Sequence, residues 1–439
     1  MRKMTQGSIA RHLIAYALPL ILGNIFQLTY NAVDSIVIGK FAGENALAAV
    51  SAANPVMTIV ILGVSGVSIG ASVLMSRFFG AGDTQKLRRE VATTLVFGAI
   101  ASLIVFLIGL PLSEPVLRLM NVPADVLPMA AGYLRVIFVG FLFTFQYNIL
   151  AAALRSVGDS KTPVIFLAVA SVMNAGLDVV FVAFGKWGVI GAGAATVIAE
   201  GVSALLCAAH IYRNIPLLHL SLRDLHIDKT LLSETVSYGA ITALQQACQP
   251  IGKAVIQSVI NAQGVSVMAA FNAVSRIDDF ACIPEQSISS GIMTCIAQNR
   301  GAGEHERVGQ TLRYGMRIEA VYGVLICLIV LAVKTPVMRL FAAQDSVSMI
   351  GMGVDYLTLM AFFYILPGLT NGIQGYFRGM GEMKTTLIAT FIQISVRALV
   401  VWLLVPRIGL NGAAWACAAG WCLMLVYTFF RYRKVKIKA

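Results

Sequence analysis

Charge is scarce in this chain. Only 12% of its 439 residues are Asp, Glu, Lys or Arg, while 58% are hydrophobic; a soluble domain carries roughly 25% charged residues. The length would suffice for two or three soluble domains, but there is too little polar surface to cover them, and the mean hydropathy of +0.80 agrees. Acids are scarcer than bases, 21 against 33. In a soluble protein the resulting +12 would point to nucleic acid, but the placement of these charges gives them another meaning. Cysteine is sparse too. Cys207, Cys248, Cys282, Cys295, Cys327, Cys417 and Cys422 lie within or at the ends of apolar runs. An odd count without paired spacing excludes a disulfide framework and a zinc site. The five histidines (12, 210, 219, 226 and 305) sit in polar segments with no carboxylate at a metal-ligand spacing. No His-Glu-x-x-His cluster is present, so a membrane enzyme is disfavoured.

Long apolar runs are abundant. They fall near 13–38, 48–75, 92–113, 128–151, 163–184 and 191–212, and again near 235–261, 267–296, 315–335, 352–376, 385–406 and 411–430. Each is long enough to cross a hydrocarbon core of about 30 Å, which takes about 20 helical residues. The reading is an all-α polytopic membrane protein with twelve spans, both termini on one side. Basic residues choose the side. Of the 33, the segments on the side of the termini hold 23, from Arg2, Lys3 and Arg11 through Arg223 to the tail ending at Lys436 and Lys438. The other side holds six, and Arg135, Lys253, Arg276 and Arg397 lie inside spans. Both termini are therefore expected in the cytoplasm, with no nucleic acid among the partners. The first span reads as an uncleaved anchor, since it is long and lacks a small-residue cleavage site.

The chain repeats itself. Gly80-Ala81-Gly82-Asp83 returns as Gly301-Ala302-Gly303-Glu304. Arg155-Ser-Val-Gly158-Asp159-Ser-Lys161-Thr162 returns as Arg378-Gly-Met-Gly381-Glu382-Met-Lys384-Thr385, and Gly188-Val-Ile-Gly191-Ala192 as Gly409-Leu-Asn-Gly412-Ala413. Three matches in order at one offset, 221 to 223 residues, imply two six-helix lobes, 1–220 and 221–439, joined by a cytoplasmic linker near 213–234. An even number of spans per lobe makes the repeats parallel. Transporters of that build bind substrate between the lobes and alternate access by rocking them.

Ionisable residues inside a bilayer are expensive and mark functional sites by default. Asp34, Asp178, Thr196 and Tyr133 lie four to six residues inside the outer ends of their spans, roughly 6–9 Å deep at the helical rise. Asn174 shares a face with Asp178, and Tyr30 with Asp34, each four residues earlier. Four helices thus bring oxygen ligands to one depth. Two carboxylates in a poorly hydrated site can hold one proton between them near neutral pH, and carboxylate, amide and hydroxyl oxygens can equally ligate Na+. A buried network that only fixes helix packing is the bland alternative. Shifted by the repeat, Asn174 and Asp178 become Ser395 and Leu399, and Asp34 becomes Ile256 or its neighbour, so the second lobe lacks this site. Instead, span 8 carries Arg276, Asp278, Asp279 and Glu285. Arg276 and Asp279, three apart, are expected to neutralise each other; Asp278 and Glu285, seven apart, could attract a cationic substrate. Glu200, four after Thr196, is a weaker candidate.

These residues resemble those of the multidrug and toxic compound extrusion (MATE) family over the whole chain, with its Arg-x-x-Gly-Asp/Glu-x-Lys loops. In members whose cation site lies in the N-lobe, a bending proline stands fifteen residues before an aspartate, matching Pro19 and Asp34. That site also uses Asn-x-x-x-Asp, matching Asn174 and Asp178, and a threonine eighteen residues later, matching Thr196. Tyr30, Tyr133 and Asn148 resemble its supporting residues. Another branch of the family loads carboxylates on spans 7, 8 and 10, but span 7 here offers Gln245 and Gln246 and no acid. The resemblance implies a V-shaped rocker-switch antiporter in the plasma (bacterial inner) membrane, working as a monomer without a cofactor. It would exchange entering H+ or Na+ for amphipathic, often cationic compounds. A flippase for lipid-linked oligosaccharide is the alternative, kept open by Lys253, Arg276 and Arg397 as partners for phosphates.

Overall fold

The computed structural model describes residues 3–221, 224–341 and 347–438. Arg2 and Arg223, counted above among the basic residues, lie outside the described residues, as do the side chains of Lys436 and Lys438. All regular structure among the described residues is helical. The first seven long helices are α1 (Ile9–Val37), α2 (Glu44–Gly80), α3 (Thr84–Leu119), α4 (Leu127–Ser156), α5 (Lys161–Asp178), α6 (Gly188–Asn214) and α7 (Lys229–Asn261). They are followed by α8 (Val265–Gly301), α9 (His305–Phe341), α10 (Val347–Phe363), α11 (Ile365–Gly379), α12 (Met383–Ile408) and α13 (Asn411–Lys438). Nine of the described helices are long and apolar enough to cross a membrane, or ten if the bent pair α10 and α11 counts as one span. The two long helices left over, α7 and α8, have 33 and 37 residues and carry more polar side chains along their lengths.

The expected span 352–376 is broken. α10 and α11 meet at Tyr364 with a bend of 43°. Pro367 is the cause: it has no N–H to bond Phe363 four residues earlier, and its ring crowds that carbonyl.

The duplication is written into the backbone. Left-handed glycines recur at the repeat offset: Gly43 and Gly264 (φ 89° and 99°), Gly82 and Gly303 (72° and 76°), Gly158 and Gly381 (83° and 74°), Gly188 and Gly409 (57° and 62°). Between α2 and α3 the expected stop-and-cap arrangement forms. Asp83 Oδ1 accepts from the Lys86 backbone N–H at 2.9 Å, and this bond, with the nearby Lys86 ammonium, holds the exposed carboxylate below its ordinary range.

Residues Pro19–Ala243 form one compact unit; Met4–Leu18 and Leu244–Ala439 form a second. In the first, α4 packs against α2, α3 and α6, with α5 on α6, around Leu74, Phe78, Phe141, Phe145 and Ile149. The small residues of α2 let α7 approach: a Cβ on Gly70 would sit 2.9 Å from the Gly239 nitrogen and the Thr235 carbonyl. Gly66-Val67-Ser68-Ile69-Gly70 also spells Gly-x-Ser-x-Gly, the lettering of a hydrolase elbow. Ser68, however, is buried in mid-helix with no strand before it, so the elbow chemistry does not apply. In the second unit, α8, α9 and α11 pack together, α12 pairs with α13, and α10 lies on α8 and α9. Residues 4–18 are tied in by Met4 N to Gln298 Oε1 (2.9 Å) and Tyr16 Oη to Thr294 Oγ1 (3.0 Å).

Candidate functional site

Asp34 and Asp178 stand where two helices change their winding. Asp34 is three residues from the end of α1, which passes into a π turn at Ile38–Ala42. Asp178 is the last residue of α5, followed by a second π turn at Val179–Phe184. The two π turns pack against one another. Such turns are rare and cluster at functional sites, because each inserts a residue and rotates the side chains beside it.

The two carboxyls lie close enough to act on each other electrostatically. Asp178 is fully buried, and neither of its oxygens has a hydrogen-bond partner; Asp34 Oδ1 is likewise buried without a partner. Two neighbouring carboxylates repel, and a proton on either one relieves that repulsion.

The surrounding residues come from four helices. Asn174, 3% exposed, directs its amide at Thr196 Oγ1 (3.5 Å), and that hydroxyl donates to the Ala192 carbonyl (3.1 Å). Tyr30 of α1 and Tyr133 of α4 are within electrostatic reach of Asp34, Asp178 and Glu200. Glu200 is itself hydrogen-bonded by Thr144 of α4, which makes it a third acid of the cluster; sequence reasoning ranked it low and passed over Thr144. Asn148 is not drawn in: its amide donates to the Thr144 carbonyl on its own helix (2.8 Å). Pro19 lies inside α1, fifteen residues from Asp34, at the position where the helix passes from one compact unit to the other.

The repeat-related positions in the second unit are apolar or solvent-facing. Ile256 is buried in the hydrophobic core, and Leu399 is 57% exposed. The acids of α8 pair in register with α11: Tyr364 hydrogen-bonds Asp278, and Asn371 donates to Glu285 Oε2 at 3.4 Å. Asp279 does not form the expected pair with Arg276. It meets Lys253 of α7 at 2.8 Å: the neighbouring helix brings a lysine alongside the carboxylate, and Arg276 stays exposed. Arg397 and Lys253 are also within electrostatic reach of Asp278. Lys253 and Arg397 thus lie near acids, a poor lining for a phosphate. Arg135 is matched in the same way by Glu114 at 3.6 Å. Two fully buried acids escaped sequence reasoning altogether, Glu90 of α3 and Glu319 of α9; Glu90 accepts from the hydroxyls of Thr94 and Thr235. Among the described residues no cluster of three or more His, Cys, Asp or Glu forms a metal site, and all seven cysteines are free.

Comparison with known proteins agrees with this architecture. The sequence profile of the MatE family matches the chain twice, at residues 19–180 and 242–403. The "Probable multidrug resistance protein YpnP" of Bacillus subtilis is 28% identical over 99% of this chain and 98% of its own length. The "Probable multidrug resistance protein NorM" of Thermotoga maritima is 26% identical over 96% of this chain and 90% of its own. A solved structure described as an outward-facing conformation of a multidrug resistance MATE family transporter superposes with a TM-score of 0.91, at 23% identity, covering 99% of this chain and 98% of that one.

Proposed function

The chain belongs to the MatE family, whose members are multi-pass membrane transporters rather than enzymes, and from that premise we propose that it is a proton-coupled antiporter exporting amphipathic, cationic small molecules. The observation that carries this reading is the Asp34–Asp178 pair: the two acids act on each other, Asp178 is fully buried, and three of their four carboxyl oxygens have no hydrogen-bond partner. The multidrug relatives support the substrate class. The excess of basic residues on the side of the termini supports cytoplasmic termini in a plasma membrane.

The proton is favoured over Na+ by what the neighbours already do. A sodium ion on Asp34, Asn174, Asp178 and Thr196 would need the Asn174 amide oxygen and the Thr196 hydroxyl oxygen, which already joins Asn174 to Ala192, as further ligands, whereas a proton needs only the two carboxyls. A proton entering from outside binds the pair and removes its charge. The repulsion that holds α1 off α5 disappears, and α1 closes about Pro19, its middle being free to move because Ile25, Phe26 and Leu28 are exposed. Closure expels the substrate; the two sequence halves then rock inward, the proton leaves and new substrate binds. One charge crossing the membrane supplies about 2.3 kcal/mol per 100 mV, enough to bias such a two-state carrier. In proteoliposomes, export of ethidium should be driven by a proton gradient alone and not by a sodium gradient alone; the reverse result would replace the proton by Na+.

A further inference from the structure

The C-terminal half holds a second carboxylate pair that the mechanism above does not use. Glu285 of α8 and Glu319 of α9 are both fully buried. The two helices run antiparallel from the short turn between Gly301 and His305. Glu285 precedes that turn by sixteen residues and Glu319 follows it by fourteen, so both lie about 20–25 Å along their helices at the α-helical rise. One rung further on, the Tyr322 hydroxyl donates to the Ala281 carbonyl at 2.8 Å and fixes the register of α9 on α8, with Glu285 within electrostatic reach of Glu319. Asn371 of α11 reaches Glu285 Oε2. Glu285 Oε1 and both oxygens of Glu319 are buried with no hydrogen-bond partner. α11 leaves space for them: a Cβ on Gly368 would lie 3.3 Å from Glu319 Oε2, and one on Gly372 would lie 3.4 Å from its Cγ.

No basic residue faces the pair among the described residues. The titratable groups beside it are Cys282 and Asp278 on α8 and Tyr322 on α9, and Tyr364 beside α11 is engaged with Asp278. Arg317, two residues before Glu319, is exposed and lies over the Tyr314 ring. Two buried carboxylates with three unpartnered oxygens and no counter-charge would repel strongly unless something positive sat between them. Among the described residues the only other polar group shown in contact is the Asn371 amide, too few oxygens for a metal ion shed of its water.

We propose that Glu285 and Glu319 form a second proton-binding site, in the C-terminal half, where one proton bridges the two carboxyls and is taken up and released during the cycle. The site has no counterpart by duplication, since the repeat carries Glu285 back to Val64 and Glu319 back to Gly98. Nor does it depend on span 7, which carries no acid. The proposal rests on the reading of the chain as a proton-coupled carrier, but proton binding is measurable without transport.

The test is infrared difference spectroscopy on the full-length protein in liposomes, stepped from acid to alkaline pH, in the background Asp34→Asn plus Asp178→Asn so that the first pair is silent. A protonated-carboxyl band should appear in acid and vanish in alkali in that background. Glu319→Gln and Glu285→Gln, each close in shape, should each remove the same pH-dependent component of that band, the remainder coming from the other carboxyls. In the wild type, Glu319→Gln should lower the protons exchanged per substrate by about twofold. A band left unchanged by both glutamine substitutions, or a lost component that is present unchanged at every pH, would overturn the proposal, the latter by reducing the pair to packing. If the first pair is instead irrelevant to coupling, its double variant will still export while the band result stands on its own.

Discussion

The two halves of this molecule share a repeat and diverge in where they bury charge. In the N-terminal half the acids stand on the first and fifth helices, Asp34 and Asp178, beside two π turns, with tyrosines and Glu200 around them. In the C-terminal half they stand on the second and third helices of the repeat, Glu285 and Glu319, with glycines of α11 against them. Neither pair has its equivalent across the duplication: Ile256 and Leu399 occupy one set of vacated places, Val64 and Gly98 the other. A duplicated scaffold therefore holds helix packing and turn glycines in common while each half acquires its own charged positions. The first pair sits on α1, whose middle is exposed, and the second between helices packed on one another. Conformational coupling is expected to be stronger for the first.

That expectation orders the substitutions that would break the comparison. Asp178→Asn should lower proton-driven ethidium efflux by about a hundredfold or more, measured at equal membrane abundance, because the remaining carboxyl loses the partner that makes proton binding switch charge. Glu200→Gln should cost about tenfold, since it keeps the Thr144 contact but removes a charge within reach of both tyrosines; an unchanged rate would confine the site to the two aspartates. Lys253→Gln should change efflux by less than about twofold, as expected for an exposed ion pair. A large loss there would bring back a basic, phosphate-binding cavity in the C-terminal half.

Much of the first site was legible because its logic is one-dimensional. Spans, basic-residue bias and the helical rise place Asp34, Tyr133, Asp178 and Thr196 at one depth without knowledge of packing, and the four-residue spacing puts Asn174 on the face of Asp178. Asn148 shows the limit: it came from the resemblance rather than from depth, lies fifteen residues from Tyr133 on the same helix, and turns its amide to the carbonyl of Thr144. Glu319 was missed because an apolar run read as 315–335 puts it near a span's edge, whereas α9 begins at His305 and carries it deep inside. The signal that could have found it is length, since a helix starting at the turn before His305 carries a residue fourteen positions on about 21 Å along its axis. The π turns and the Asp279–Lys253 pair arise from contacts between helices, on which the hydrophobic pattern is silent. The break at Tyr364 was within reach, announced by Pro367.

The central claim is that protonation of the Asp34–Asp178 pair drives export. It is tested most directly by following ethidium in proteoliposomes containing Asp34→Asn plus Asp178→Asn protein, once down its own gradient and once against it with an opposing proton gradient. The account predicts that downhill movement persists, because permanently neutral side chains mimic the protonated pair, and that uphill export is lost. Full uphill export by the double variant would contradict it.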